Sequence, residues 1–475
     1  MQPSRVYARL SLLGLTLLAG CDSEGGADGG AARDAAMSLD AAGADAAPTD
    51  GARPPQDAAR PDGGDTDAST PPPGGACAPL PAPSGMVISV GPRDDLAAAM
   101  ASAPAGATVS LADGTYDVPA AGLWVRADDV TVRGASGDRA RVVLDGGYRQ
   151  TSGGVLNVYG RRGVTIAHLT IRRARYHAVH VTGGPTGPSD RARLYDLHVA
   201  DPGEQAIKIN SNDGNDNDDG EIACSLIELT DEGRAVVMSH TSSGSRCYTG
   251  GVDAHRARGW AIRDNVIRGF WCDNGDLSEH GIHFWRGGRD TLVERNLLVD
   301  NARGIGFGLG MPGPGRTYDD APCAGIASAE HYRGVIRNNV VLGLRDALFD
   351  SPSGMDLGIG LESACDAVVV HNTVASLRAP FSSIEWRWPA SRARVINNLA
   401  TGRLRPRDGA SAEQTTNLEN ASAGTFEDLA GASARLAAGA ADALGRGDAE
   451  GVTLAPTDFA GETRGNPPDL GALER

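Results

Sequence analysis

From about residue 86 onward, short β-branched runs alternate with Gly, Asn and Asp, a strand-and-turn rhythm with no sustained helical period. One family of runs reads "GVTIAHLTI" (163–171), "RLYDLHV" (193–199), "SLIEL" (225–229), "WAIRDNVI" (260–267), "TLVERNLLV" (291–299), "GVIRNNVVL" (334–342), "AVVVHNTV" (367–374) and "RVINNLA" (394–400). Aligned on their apolar positions, Asn265, Asn296, Asn339, Asn372 and Asn398 take the same place, at intervals of 31, 43, 33 and 26 residues. A polar residue in a fixed role at an uneven period predicts stacked coils with loop insertions, and the asparagines predict a structural ladder at one turn. The fold expected is an all-β solenoid of stacked coils. "DDLAAAMASA" (94–103) is a short helical cap at its start.

A second family of strands follows the first: "AVHVT" (178–182), "AIKIN" (206–210), "GVDAH" (251–255), "GIHFW" (281–285), "GIGFG" (304–308), "GIGLE" (358–362) and "SIEWR" (383–387). Their second and fourth positions are mostly apolar, so the third and fifth point outward. Stacking predicts one outward column of His180, Lys208, Asp253, His283, Gly306, Gly360 and Glu385. The other holds Thr182, Asn210, His255, Trp285, Gly308, Glu362 and Arg387. A merely solvated face would carry Thr, Ser, Arg and Gln; this one collects histidines, carboxylates, a lysine and a tryptophan, with glycines read as floor space for a ligand. "AVVMSH" (235–240) competes as a strand and would insert a coil between Lys208 and Asp253.

Composition sharpens one position. The chain has 44 basic residues, and Lys208 is the only lysine among them. Lysine can be deprotonated by burial or a neighbouring cation, whereas arginine in practice cannot. The formal net charge of −16 argues against nucleic acid as a partner. The Asp-rich stretch "NSNDGNDNDDGE" (210–221) offers Asp213, Asp216 and Asp218 as weak calcium candidates, but it lacks the glycine and glutamate of an EF-hand loop. No other cofactor is indicated.

The N-terminus, "MQPSRVYARLSLLGLTLLAGC", has arginines, an apolar stretch too short to span a bilayer, and then Leu-Ala-Gly-Cys. It resembles the lipobox of bacterial lipoproteins, which implies export, lipidation of Cys21 and a place in the cell envelope, periplasmic or surface. Residues 22–76 are Ala, Asp, Gly and Pro and read as a tether reaching roughly 40 Å. The remaining six cysteines, in the domain from residue 77 to 475, favour up to three disulfides with the pairing open. A monomer joined to a membrane through its lipid is expected.

"DDLAAAMASA" with "GATVSLADGTYDV" resembles the opening of β-helix polysaccharide lyases of the chondroitinase B and alginate lyase type, and "DFAGETRGNPPDLGALER" resembles their closing segment. The resemblance implies an all-β, single-stranded right-handed parallel β-helix, with its coils over residues 107–400 and a C-terminal capping segment over 401–475. "YTGGVDAHRARGWAIRDNVI" is similar to the Tyr-Gly-x-Asp-Pro-His segment of AlgE-type mannuronan C5-epimerases, which implies catalytic roles for His255 and Asp253, with Lys208 one coil earlier and Arg303 later. Both reactions remove the weakly acidic C5 proton of a uronic acid, which needs a base near its working pH and a cation on the carboxylate. Lys208, His255 and His283 are the expected acid and base, and Asp253 orients a histidine or holds a cation. Arg303 or Arg387 meets the substrate carboxylate, and Asn210, Trp285, Glu362, Glu385, His180 and His280 bind substrate. A uronate lyase is placed ahead of an epimerase. A non-catalytic glycan-binding lipoprotein, or a hydrolase using Asp253, Glu362 and Glu385, are the alternatives.

Overall fold

The computed structural model describes residues 77–239, 247–310, 313 and 315–475. Residues 1–76, which hold the expected export segment, Cys21 and the expected tether, lie outside the described residues. Among the described residues, no helix is long and apolar enough to cross a membrane.

Parallel strands dominate, and each pairs with the equivalent strand one coil before and after. The first two runs are continuous strands, Thr165–Arg172 and Arg193–Ala200, and the later ones divide at a sharp corner into two strands, as in Ala261–Arg263 with Val266–Arg268, and Val335–Arg337 with Val340–Gly343. Each corner is one left-handed residue, Asp264, Arg295, Asn338, His371 or Asn397, followed by a ladder asparagine. The asparagine then satisfies the backbone groups exposed by the bend. Asn339 Nδ2 donates to the Val293 and Arg337 carbonyls and to Asn372 Oδ1, while its own Oδ1 accepts from the backbone and side-chain amides of Asn296. The ladder runs one rung further than the pattern showed, to Asn417. Asn339→Ala is expected to lower stability by about 2–3 kcal/mol, because buried partners on two coils lose their bonds; the urea midpoint measures it.

The second family forms a sheet of ten strands from Leu123–Val125 to Leu404–Pro406. Its inward residues stack by type: Ile207, Val252, Ile282, Ile305, Ile359 and Ile384 are consecutive register partners, all fully buried. Like-on-like apolar stacking is what makes the register specific, since a one-residue slip would turn this column to solvent.

The coils extend beyond 107–400: Val87–Val90 pairs with Thr108–Leu111, and Ser411–Thr415 with Arg392–Ile396. The start helix is Leu96–Ser102, capped by Asp95 accepting from the Ala98 amide. Of the competing run at 235–240, the described residues 235–239 form no strand, and His240 lies outside the described residues. Residues Asp231–Val237 are helical, because Thr230 caps the Gly233 amide and Arg234 reaches the Trp271 and Gly269 carbonyls. The C-terminal segment does not simply close the end of the stack. Phe426, Leu429, Leu436, Phe459, Leu470 and Leu473 pack on Val340, Leu342 and Leu399, along the flank. Val341 faces the interior, so "VVL" is apolar throughout because both of its faces are covered. The six cysteines form three disulfides, Cys77–Cys224, Cys247–Cys272 and Cys323–Cys365.

Candidate functional site

Both outward columns form in the ten-stranded sheet. Lys208 pairs with His180 on one side and Asp253 on the other, Asp253 with His283, His283 with Gly306, Gly306 with Gly360, and Gly360 with Glu385. In the second column Asn210 pairs with Thr182, His255 with Trp285 and Glu362 with Arg387. Strands Gln205–Asn210, Gly250–His255 and Ile282–Trp285 thereby bring Lys208, Asp253, His255, His283 and Trp285 together.

Asp253 is the hub. Lys208 Nζ donates to Asp253 Oδ2 and lies 3.1 Å from His255 Nε2, which is itself 3.2 Å from the same oxygen. Trp285 Nε1 donates to Asp253 Oδ1 at 2.8 Å. Burial alone would raise the Asp253 carboxyl, but the Lys208 ammonium and then His255 overcome it and hold it well below its ordinary value. Burial, and then the Lys208 charge, push His255 downward. At neutral pH the arrangement is a carboxylate and an ammonium beside a neutral imidazole able to accept a proton. Lys208, His255 and Trp285 keep 8, 8 and 9 % exposure, so only their tips reach the surface.

His283 and His280 lie deeper, with ring centroids 4.3 Å apart. Burial pushes His283 down to about 4 and takes His280 well below its usual value. The expected ligand floor is therefore partly filled. A Cβ on Gly306 would lie 2.6 Å from the His280 ring, so this glycine makes room for a histidine of the protein itself. Trp285 is not an open sugar platform, since it stacks on His283 at 5.2 Å and carries the Arg286 guanidinium 4.6 Å over its ring.

The other expected residues are placed as follows. His180, pushed down to about 4 by burial, is bonded to Asn210 Oδ1 at 2.7 Å, so these two engage each other. Arg303 donates to Asp356 at 3.1 Å. Glu362 accepts from the Gly310 amide, Glu385 from Ser382 and Arg407, and Arg387 donates to Asp408. Glu385 stands four strands from Asp253, about 19 Å at β-sheet spacing, too far to form a carboxylate pair with it. The calcium candidates are otherwise occupied: Asp216 accepts from Arg256, Asp218 from Arg316, and Asp213 from Tyr159. Sequence reasoning missed Arg286 and Glu279. Both flank "HGIHFW", and a charged residue at each end of a histidine-bearing strand was the available signal.

The fold and columns together define a parallel β-helix protein with a polar cluster on one sheet. Among solved structures it is similar to pectate lyase Pel9A, with a TM-score of 0.51 and 15% identity over 82% of this chain and 96% of that one. Looser overlaps are with an alginate lyase from Paenibacillus sp. str. FPU-7 (TM-score 0.39, 16% identity, 71% of this chain and 99% of that) and the Azotobacter vinelandii mannuronan C-5 epimerase AlgE6 A-module (TM-score 0.42, 13% identity, 66% and 84%). No protein-family model matches the chain, and no curated protein matches its sequence.

Proposed function

We propose that this sheet acts on a uronic-acid-containing polysaccharide by removing the C5 proton, with β-elimination as the outcome. The observation that carries the reading is the contact of Lys208 Nζ with both Asp253 and His255 Nε2. His255 takes the C5 proton, and the electron pair of the C–H bond moves toward the substrate carboxylate, whose growing charge the Lys208 ammonium opposes. Asp253 fixes both groups. Collapse of the dianion then breaks the C4–O bond, the leaving oxygen takes the proton held by the His255 imidazolium, which restores the base, and an unsaturated uronate remains. The same fold carries a pectate lyase. The second reading is C5 epimerisation, in which the proton returns on the opposite face; the placement of Lys208 one coil before Asp253 and His255 favours it.

Three disulfides fit an oxidising compartment. Export, lipid attachment through Cys21 and a tether over 22–76 belong to the same proposal.

Incubation with a panel of uronate polysaccharides in D₂O separates the outcomes. New ultraviolet absorbance marks a lyase, deuterium at C5 without chain shortening marks an epimerase, and reducing ends alone mark a hydrolase. Binding without any of these across the panel would sink the catalytic reading and leave a glycan-binding protein. Lys208→Arg is expected to cut turnover by about 10²–10³-fold with unchanged circular dichroism, because a planar guanidinium cannot place its charge where the compact Nζ meets both Asp253 and His255. An unaltered rate removes Lys208 from the mechanism.

A further inference from the structure

We infer that Glu279, His280 and His283 form a binding site for one divalent transition-metal ion of the zinc class. One ligand atom from each residue lies within 4.8 Å of the others. The two histidines are 2 and 0 % exposed, and the Nδ1 atom of each is buried without a hydrogen bond. Unpartnered buried ring nitrogens are uncommon and costly, so a neighbouring pair requires an explanation.

The polarity of the cluster supplies one. His283 Nε2 lies 3.0 Å from the Gly308 carbonyl, which can only accept, so Nε2 carries the hydrogen. Its Nδ1 is turned toward two carboxylates, 3.7 Å from Glu279 Oε2 and 3.6 Å from Asp253 Oδ1, beyond hydrogen-bond reach of either. Electron-rich atoms thus converge from strand Ile282–Trp285, the residues just before it, and the adjacent strand Gly250–His255. A cation satisfies them together. Ligand bonds of about 2.0–2.2 Å at a tetrahedral ion put neighbouring ligand atoms roughly 3.3–3.6 Å apart, so the Glu279–His283 pair needs only a small inward shift.

The ligand types select the ion. Calcium and magnesium take oxygen ligands, whereas two imidazoles with one carboxylate suit zinc and its first-row neighbours. Three protein ligands leave a coordination position open, as in catalytic rather than structural zinc sites. The frame is built to hold this shape. The Glu279 amide donates to the Thr249 carbonyl, the His280 carbonyl accepts from the Gly251 amide, and the Cys247–Cys272 disulfide joins the segments leading into both strands. Gly306 leaves room for the His280 ring. Trp285 stacks on His283 and bonds Asp253 Oδ1, orienting the groups around the ligands. Arg303, whose charge reaches both histidines, is engaged by Asp356. The second cluster of metal-ligand side chains among the described residues, Cys323, Cys365 and Asp366, has both cysteines in a disulfide and offers no thiolate.

The metal site does not depend on the uronate reading, and its test uses no glycan. The full chain, stripped with a chelator, is titrated with zinc by calorimetry and with cobalt(II) by visible spectroscopy. One ion per chain is expected, with a cobalt ligand-field band that zinc displaces. X-ray absorption of the zinc form should show a first shell of N and O ligands at about 2.0–2.1 Å with imidazole scattering. Glu279→Gln and His280→Ala should each weaken binding roughly 100-fold or more, whereas Asp216→Asn, at a carboxylate paired with Arg256, should leave it unchanged. If the wild-type chain takes up no zinc, the inference is wrong. A cobalt band that survives both ligand variants overturns it equally, and the wild-type X-ray spectrum decides the matter even if a variant folds poorly. Stoichiometric metal with no action on any uronate would sink the proposed function alone.

Discussion

A Lys208→Met protein is expected to lose about 3–5 kcal/mol of stability near neutral pH, and Asp253→Asn in the same chain is expected to restore most of it. Asp253 is 3 % exposed, and Lys208 supplies the full positive charge beside it. Without that ammonium the carboxylate keeps the Trp285 indole and His255, neither of which carries a charge at neutral pH. Methionine fills much of the lysine volume, so the loss reports the stranded charge and not a cavity. An asparagine at 253 has nearly the shape of aspartate but no charge to strand. The double-mutant cycle, followed by urea midpoints, should therefore show strong coupling, and additive losses would mean that the pair is not an ion pair in the folded protein. One feature distinguishes this from ordinary loss of packing. Burial still lowers His255 when Lys208 is gone, but the ammonium that adds to it is absent, so at lower pH a protonated His255 can take its place beside Asp253. The deficit of the single variant should accordingly be smaller at about pH 5 than at about pH 8.

The second large effect expected is a fall in wild-type stability as pH drops from about 6.5 toward 4. His180 is held down to about 4, and His331 and His371 to about 3, each mainly by burial. His331 lies stacked on Phe307 and bonded to Thr291, and His371 bonds Asn397 and the Gly471 carbonyl near the Arg464 charge. All three values lie below that of an unfolded histidine, so the folded chain binds fewer protons than the unfolded one throughout this interval. Their stabilising contribution is complete above about pH 6.5 and declines as pH falls, by up to about 1.4 kcal/mol per pH unit for each histidine. The depressed Asp253 carboxyl acts lower down: its contribution holds above about pH 3.9 and is lost only as pH falls through its folded value. Urea midpoints at about pH 7 and pH 5 test this. Equal midpoints would mean that these histidines are charged in the folded state.

The two columns were legible because a β-strand alternates with a period of two and because the inward residues are almost all apolar, which leaves one register for the polar ones. The asparagine ladder was legible for a related reason, since an asparagine side chain at the corner can both donate and accept between coils; one coil before Asn265 its place is taken by Ser225, whose hydroxyl accepts from the Leu197 amide. Depth was not legible. Gly306 looks like open floor from the sequence, but the space above it belongs to His280, contributed from the neighbouring coil. Trp285 looks like a platform, but His283 lies two residues before it and their rings stack. Glu279 precedes its strand and has no place in an alternation pattern at all. The helix Asp231–Val237 was hidden because Val236 and Val237 favour strands, while the cap and arginine contacts that decide the matter come from Thr230, Gly269 and Trp271. The flank contact of the C-terminal segment was not legible either, because the apolar run that holds its partners Val340 and Leu342 does not show which of its residues face inward.

Cys77 is fastened to Cys224, just beyond the fourth of the ten sheet strands, and its neighbourhood is clasped further: Tyr195 holds the Ala78 carbonyl, Arg133 that of Pro81, and Leu80 packs beside them. A pull on residue 77 therefore enters the stack partway along its length, through a covalent link, and not at the helix Leu96–Ser102. The coils before and after that point hang from it like the two arms of a balance.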